Sequence, residues 1–247
     1  DRRVIERPSL VDRIFGHGDI ENMAICTGGN SNDFSALIVN VVSCLDLVTG
    51  NHYPFSIHDF EGEATEGELF SQSDGGSRAR VRRDGITDAG LAHFQSAYPG
   101  KGEGSTLTKE DLFYYIYGLL HSPDYRSRYA DNLGKELPRI PAVKTFSDFR
   151  AFSQAGRDLA HWHLNYETVE CYPGLAVEEP VSAPTDATRR YRVTKMKFGK
   201  TKDVSAKGSK SVNDKTTVIY NDFITLRGIP LTAYDYVVNG KPALEWV

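Results

Sequence analysis

Ten basic residues stand between positions 189 and 215: Arg189, Arg190, Arg192, Lys195, Lys197, Lys200, Lys202, Lys207, Lys210 and Lys215, against only Asp203 and Asp214. The segment carries +8 in a chain of formal net charge −4, which leaves −12 for the remainder. Lysine and arginine at this density neutralise phosphates and donate hydrogen bonds to acceptor-rich edges. An acidic remainder discourages unspecific adhesion and orients an approaching polyanion. The run from Tyr191 to Lys202 interleaves its charges with Met196 and Phe198, and reads as a hairpin able to straddle a groove. A loop around Lys200 to Lys210 would then reach base edges. The competing reading is a solvated strand face followed by a basic loop.

A second cluster, Arg78, Arg80, Arg82 and Arg83, lies in the polar stretch 61–85, which opens as a glycine-rich, acidic segment. Four arginines in six residues suit phosphate or guanine contacts, because guanidinium forks match both. The alternative is a solubilising loop or one docked on an acidic neighbour.

Other chemistry fares less well. Gly199-Lys-Thr201 mimics the end of a phosphate-binding loop, but the glycine required five positions earlier is Thr194, and the segment reads as a strand end. His161 and His163 are two positions apart, on different faces of a helix, and cannot chelate one metal together; packing near Asp158 and Glu167 is the expectation. Cys26, Cys44 and Cys171 lack the paired spacing of a zinc site or a disulfide framework and read as free thiols. No nucleophile motif occurs, and scattered carboxylates do not assemble into a nuclease centre on paper. The expectation is therefore a non-catalytic chain with no cofactor or metal of its own.

The elements that must position these residues follow from periodicity and punctuation. At 40% hydrophobic and 25% charged, 247 residues can bury a core, as one large domain or two small ones. No apolar run approaches a membrane span and no secretion signal opens the chain, which points to a cytoplasmic protein. Residues 23–27 and 34–42 read as a hairpin across the turn chemistry of 28–33, and 46–49 and 53–57 could add strands. Four helices follow. Thr87 caps the first, with Leu91, Phe94 and Tyr98 on one side; Thr108 and Asp111 open the second, with Leu112, Tyr115, Ile116, Leu119 and Leu120 as its stripe. Pro123 breaks it, a third spans 124–133, and Pro138 and Pro141 enforce an extended turn. A fourth starts at Thr145 and buries Phe149, Phe152, Leu159 and His163. Strands return at 190–198, 216–226 and 234–238, the last turned by Asn239-Gly240 into 243–247. The order β, α, β argues for an α+β fold with antiparallel strands at both ends and helices between them.

The helical middle also carries a resemblance. Thr108-Lys-Glu-Asp-Leu-Phe-Tyr-Tyr-Ile-Tyr-Gly-Leu-Leu-His-Ser-Pro-Asp-Tyr-Arg-Ser-Arg-Tyr129 and Asn132-Leu-Gly-Lys-Glu-Leu-Pro-Arg-Ile-Pro141 resemble the C-terminal specificity domain of Type ISP restriction-modification enzymes. So do Ile86 to Phe94, Ala155 to Glu167, Tyr191 to Phe198, Tyr220 to Pro230 and Tyr236 to Trp246. Residues 1–60 are similar to the family's strand-rich junction with its methyltransferase, 61–85 remain a polar Gly/Arg-containing loop, and 86–247 match the specificity domain, helical over 86–170 and strand-forming over 188–247. The chain opens without Met and stops on an apolar residue, as an excised domain would.

The resemblance implies a target recognition domain in a phage-defence system that joins a nuclease, a helicase-like motor and an adenine-N6 methyltransferase in one polypeptide. Its partners would be double-stranded DNA and the adjoining methyltransferase domain, with no membrane. It would position a target adenine for methylation and license ATP-dependent restriction. S-adenosylmethionine, ATP and Mg²⁺ would be bound elsewhere in the parent enzyme. The alternatives are a domain-docking module or, as a weaker candidate, a nuclease fragment.

Overall fold

A computed structural model of the chain describes residues 22–28, 34–41, 50–60, 80–100, 103–203, 210–238 and 241–246. It divides into two compact units, 1–167 and 168–247. Helices and antiparallel sheets make it α+β, as the sequence predicts.

In the first unit, β1 (Ala24–Gly28), β2 (Ala36–Val39) and β3 (Gly50–Pro54) form an antiparallel sheet with β1 in the centre. The hairpin read across 28–33 is thus present as the β1–β2 pair, Ala24 opposite Val39 and Thr27 opposite Ala36. The expected strand at 46–49 lies outside the described residues. β4 (Ser56–Phe60) pairs with β5 (Arg80–Asp84), so the end of the expected polar loop is a strand rather than loop. The Asn22 amide pins this junction, donating to the Ser56 carbonyl at 2.7 Å and accepting from the Ser56 hydroxyl at 3.2 Å.

Five helices follow: α1 (Asp88–Ala97), α2 (Lys109–His121), α3 (Pro123–Arg128), α4 (Ala130–Leu133) and α5 (Phe146–Leu164). The single helix expected over 124–133 is two short ones, split at Tyr129. The caps fall where the sequence puts them. Thr108 and Asp111 form a reciprocal capping box, and Thr145 accepts from the Asp148 amide at 3.0 Å. Ser122 ends α2 and caps α3, because Pro123 tolerates only the first turn of a new helix.

α2 and α5 cross at two glycines. A methyl group on Gly156 would lie 1.9 Å from the Tyr114 carbonyl oxygen, and one on Gly118 would lie 2.3 Å from that of Phe152. Backbone therefore meets backbone, and the flanking aromatics interlock: Tyr115 stacks on Phe149 with ring centroids 4.5 Å apart. Tyr115, Tyr117 and Phe149 are completely buried. The hydroxyl groups of these and neighbouring tyrosines anchor the chain around the helices. Tyr115 donates to the Pro141 carbonyl at 2.6 Å, Tyr125 to that of Arg139 at 2.8 Å and Tyr98 to that of Val143 at 3.0 Å, which straps the proline segment onto the bundle. Tyr117 accepts from the Ile38 amide at 3.2 Å, joining α2 to β2, and shares a hydrogen bond with His163 Nδ1. His163 thus packs on Tyr117 and His121, a packing residue as expected. Burial, then Arg126 and His163, push His121 down to about 3, so it stays neutral.

A charged link joins the same two helices. Burial pushes the Asp111 carboxyl up, but the Thr108 hydroxyl and amide and the Arg157 guanidinium, 3.0 Å away, outweigh it and hold it below the usual carboxylate range. Arg157 also lies over the Tyr114 ring and pairs with Glu110 at 2.7 Å.

The second unit is a four-stranded antiparallel sheet in the order β6 (Ala176–Glu178), β9 (Thr225–Arg227), β8 (Lys210–Ile219), β7 (Lys197–Asp203), with a helical turn α6 (Ala187–Arg190) between β6 and β7. Three of the expected strand assignments change here. Residues 190–196 are a helical turn and irregular chain before β7 begins at Lys197; 216–226 are the end of β8, a turn and the start of β9; 243–246 form a 3-10 turn rather than a strand, and 247 lies outside the described residues. The hairpin across Asn239-Gly240 is present but short, β10 (Val237–Val238) against β11 (Lys241–Pro242).

The glycine crossing generates a sharp expectation. Gly156→Ala should lower stability by about 1–3 kcal/mol through overpacking, although alanine gains about 1 kcal/mol in helix propensity. Phe149→Ala should cost about 3–5 kcal/mol. Thermal or urea melts check both; a neutral or stabilising Gly156→Ala would mean that the helices separate freely.

Candidate nucleic-acid interface

The ten basic residues of 189–215 fall on successive elements of the second unit. Arg189 and Arg190 end α6, Arg192 and Lys195 lie in the chain that leads into β7, and Lys197, Lys200 and Lys202 lie on β7. Lys210 and Lys215 belong to β8, and Lys207 lies outside the described residues. The lead-in is fixed by Asn221. Its amide nitrogen donates to the Arg190 carbonyl at 2.7 Å and to that of Arg192 at 3.3 Å, while its oxygen accepts from the Phe223 and Ile224 amides of the turn after β8.

The charges divide into compensated and uncompensated. Arg190 is held by Glu179 in a two-pronged pair and lies over the Tyr191 ring; Lys215 pairs with Glu245 and lies over Tyr234. Those two are engaged within the fold. Arg189, Arg192, Lys195, Lys197 and Lys202 are exposed and have no ion-pair partner among the described residues. Lys200 donates to the neutral Asn213 amide oxygen.

β7 and β8 make a ribbon that outruns its sheet. Lys197 and Phe198 pair with Ile219 and Val218, next to β9, which itself reaches only Thr217 to Ile219. Beyond a register shift, Gly199 to Asp203 pair with Asp214 down to Lys210, and among the described residues no third strand joins that stretch. The shift leaves Lys215, Thr216 and Thr217 as a bulge, and a bulge bends its strand and re-aims the residues beyond it. Asp214 holds it: the carboxylate accepts from the Thr216 amide at 3.0 Å, the Thr216 hydroxyl at 2.6 Å and the Thr217 hydroxyl at 2.8 Å. Those bonds, the Thr216 hydroxyl first, lower its pKa. Gly199 leaves the room the bulge needs, since a Cβ there would stand 2.9 Å from Thr217 Cβ. The phosphate-loop mimic Gly199-Lys-Thr201 is therefore strand, as its sequence context implies.

Strand alternation sorts the ribbon's side chains. Lys200, Lys202, Asn213 and Ser211 share one face, all exposed; Gly199, Thr201, Val212 and Asp214 share the other. One face is a row of hydrogen-bond donors. Sequence reasoning missed Asn213, Ser211 and Asp214, because Lys-Ser-Val-Asn-Asp-Lys has poor strand propensity and only the ladder to β7 makes it one.

The arginine cluster belongs to the first unit, on β5 where Arg80, Arg82 and Arg83 fall, with Arg78 outside the described residues. Arg82 stands opposite His58 and Arg83 opposite Ile57, so these two exposed side chains point to opposite faces of the β4–β5 pair. Among the described residues no three His, Cys, Asp or Glu side chains converge as metal ligands, and no helix is long and apolar enough to cross a membrane.

A family model described as the Type ISP C-terminal specificity domain matches residues 1–247. Among solved structures, the chain is similar to one described as the ATP-dependent Type ISP restriction-modification enzyme LlaBIII bound to DNA, at 30% identity and TM-score 0.69 over 98% of this chain and 14% of that one. A nuclease-deletion mutant of the Type ISP enzyme LlaGI in complex with a DNA substrate mimic shares 32% identity at TM-score 0.62, over 95% of this chain and 14% of that one. The DrdV–DNA complex shares 28% at TM-score 0.69, over 95% and 20%. The chain thus spans about a seventh of the length of the first two enzymes it matches. No curated protein matches.

If Asp214 sets the ribbon's aim, Asp214→Ala should shift the amide resonances of 199–203 and leave those of 225–227 in place. A two-dimensional nitrogen–proton spectrum reads this directly; unmoved ribbon resonances would show that the bulge holds without the carboxylate.

Proposed function

We infer the function from one premise: this chain belongs to the family of Type ISP C-terminal specificity domains. Its task is to recognise a target in double-stranded DNA, positioning one adenine for an adjoining methyltransferase domain and licensing ATP-dependent restriction by the parent polypeptide. The observation that carries this reading is the group of five exposed basic residues without ion-pair partners among the described residues, running from α6 through the lead-in onto a strand of the projecting ribbon. Cations so placed can exchange counterions for phosphates without first breaking an internal pair.

Catalysis belongs elsewhere in the parent polypeptide on this reading. S-adenosylmethionine serves the methyltransferase, and ATP with Mg²⁺ the motor and nuclease. A target adenine must leave the stack to be methylated, and its pocket lies in that second domain, which supplies the opposite wall of the DNA cleft. A docking role is supported by one separate feature: Trp162 and Tyr166, one turn apart near the end of α5, are 54% and 71% exposed. Such aromatics suit contact with a neighbouring domain and are compatible with DNA recognition by the other unit.

Charge reversal at Lys195 and Lys197 should weaken binding to all duplexes alike and lower the log–log salt slope by about 1 for each phosphate left unneutralised. An unchanged slope would remove the basic stripe from the interface. The chain by itself should bind duplex DNA with Kd on the order of 10⁻⁴–10⁻⁶ M at physiological salt, without cleavage or methyl transfer. Fluorescence anisotropy with target and scrambled duplexes, alongside Mg²⁺-dependent nuclease assays, checks this. Tight selective binding would place the whole cleft within the chain, and cutting would restore the nuclease reading.

A further inference from the structure

We propose that the donor-rich face of the β7–β8 ribbon lies in the DNA major groove, and that the cross-strand pair Lys200–Asn213 reads a guanine there. This rests on the reading of the chain as a DNA specificity domain. A two-stranded ribbon fits a groove about 12 Å wide, and the five-pair stretch 199–203 against 210–214 has no third strand among the described residues to obstruct entry. Five residues of strand span about 13 Å, which matches about four base-pair steps at 3.4 Å each. Only one face can turn toward the bases. Lys200, Lys202, Asn213 and Ser211 occupy one, while the other carries Asp214, whose charge phosphates and base acceptors both repel.

The base follows from the chemistry of the pair. A lysine ammonium donates and never accepts. Lys200 therefore engages the oxygen of the Asn213 amide, and the amide nitrogen makes no hydrogen bond among the described residues. An asparagine with both its groups free matches adenine, which offers one acceptor and one donor in the major groove. With its oxygen drawn to Lys200, Asn213 offers its NH2 donor beside the Lys200 ammonium. Two adjacent acceptors, N7 and O6, occur together only on guanine. Asp214 contributes as a positioning residue: it touches no base but fixes the bulge from which the ribbon projects.

The experiment selects a randomised duplex library with the full-length polypeptide, either unchanged or carrying Asn213→Ala or Lys200→Met. Both positions are exposed, so each variant should melt with the parent. The unchanged protein should enrich a motif with a fixed guanine, and 7-deazaguanine at that position should weaken binding about tenfold, as loss of a paired base contact does. Asn213→Ala should abolish the guanine preference and the deaza effect, with affinity for random duplexes held within about twofold. Lys200→Met should shift the preference from guanine toward adenine, because the freed amide oxygen can then accept from the adenine amino group. If the unchanged protein selects a motif that both variants select equally well, the pair reads nothing and the inference falls while the specificity-domain reading stands. Absence of any motif with the unchanged protein would overturn that reading and the inference with it.

Discussion

Close approach of α2 and α5 at Gly118 and Gly156 is the constraint on which the first unit depends. The two backbones come near enough that a methyl group on either glycine would collide with a carbonyl oxygen of the other helix. At that separation Tyr115 can stack on Phe149, Ser153 can donate to the Asp111 carbonyl at 2.9 Å, and Arg157 can reach Asp111. The tyrosine hydroxyl groups then extend the network outward, to β2 through Tyr117 and to the proline segment through Tyr98, Tyr115 and Tyr125. Widening the crossing would loosen all of these together, because each depends on a side chain of fixed length. The helical middle is thus a scaffold whose polar atoms are committed to its own packing.

The second unit is built on the opposite plan. Few of its described residues are buried, among them Thr217, Val218, Ile224 and Ile229, and its polar groups are arranged to hold backbone in unusual courses. Asn221 ties the basic lead-in to the turn after β8, and Asp214 ties down the bulge. Arg190 and Lys215 are drawn into ion pairs that brace the same region, which leaves Arg192, Lys195, Lys197 and Lys202 for solvent or a polyanion. A surface that exposes hydrogen-bond donors and cations without ion-pair partners among the described residues suits an interface that is polar, wet and strongly charged.

Much of this was legible in the sequence, and the parts that were not share a cause. Helix starts at Thr87, Thr108 and Thr145 and the break at Pro123 were readable because caps and prolines act within a few residues. The charge asymmetry and the family string also lie in plain order along the chain. The features that escaped a local reading depend on partners distant in sequence. Residues 210–215 form a strand only because β7 lies beside them, and 190–196 fail to form one because Asn221 holds their carbonyls. Arg80 to Asp84 become strand through β4. Likewise, nothing local distinguishes Lys215, committed to Glu245, from Lys202, which has no such pair among the described residues.

The central claim is a division of labour, a helical scaffold in one unit and a DNA-facing ribbon in the other. Amide hydrogen exchange of the full-length polypeptide, with and without saturating duplex DNA, tests it most directly. The account predicts added protection at 197–203 and 210–214, with the exchange of α2 and α5 unchanged. Protection confined to the helices, with the ribbon exchanging as fast as in the free protein, would contradict it.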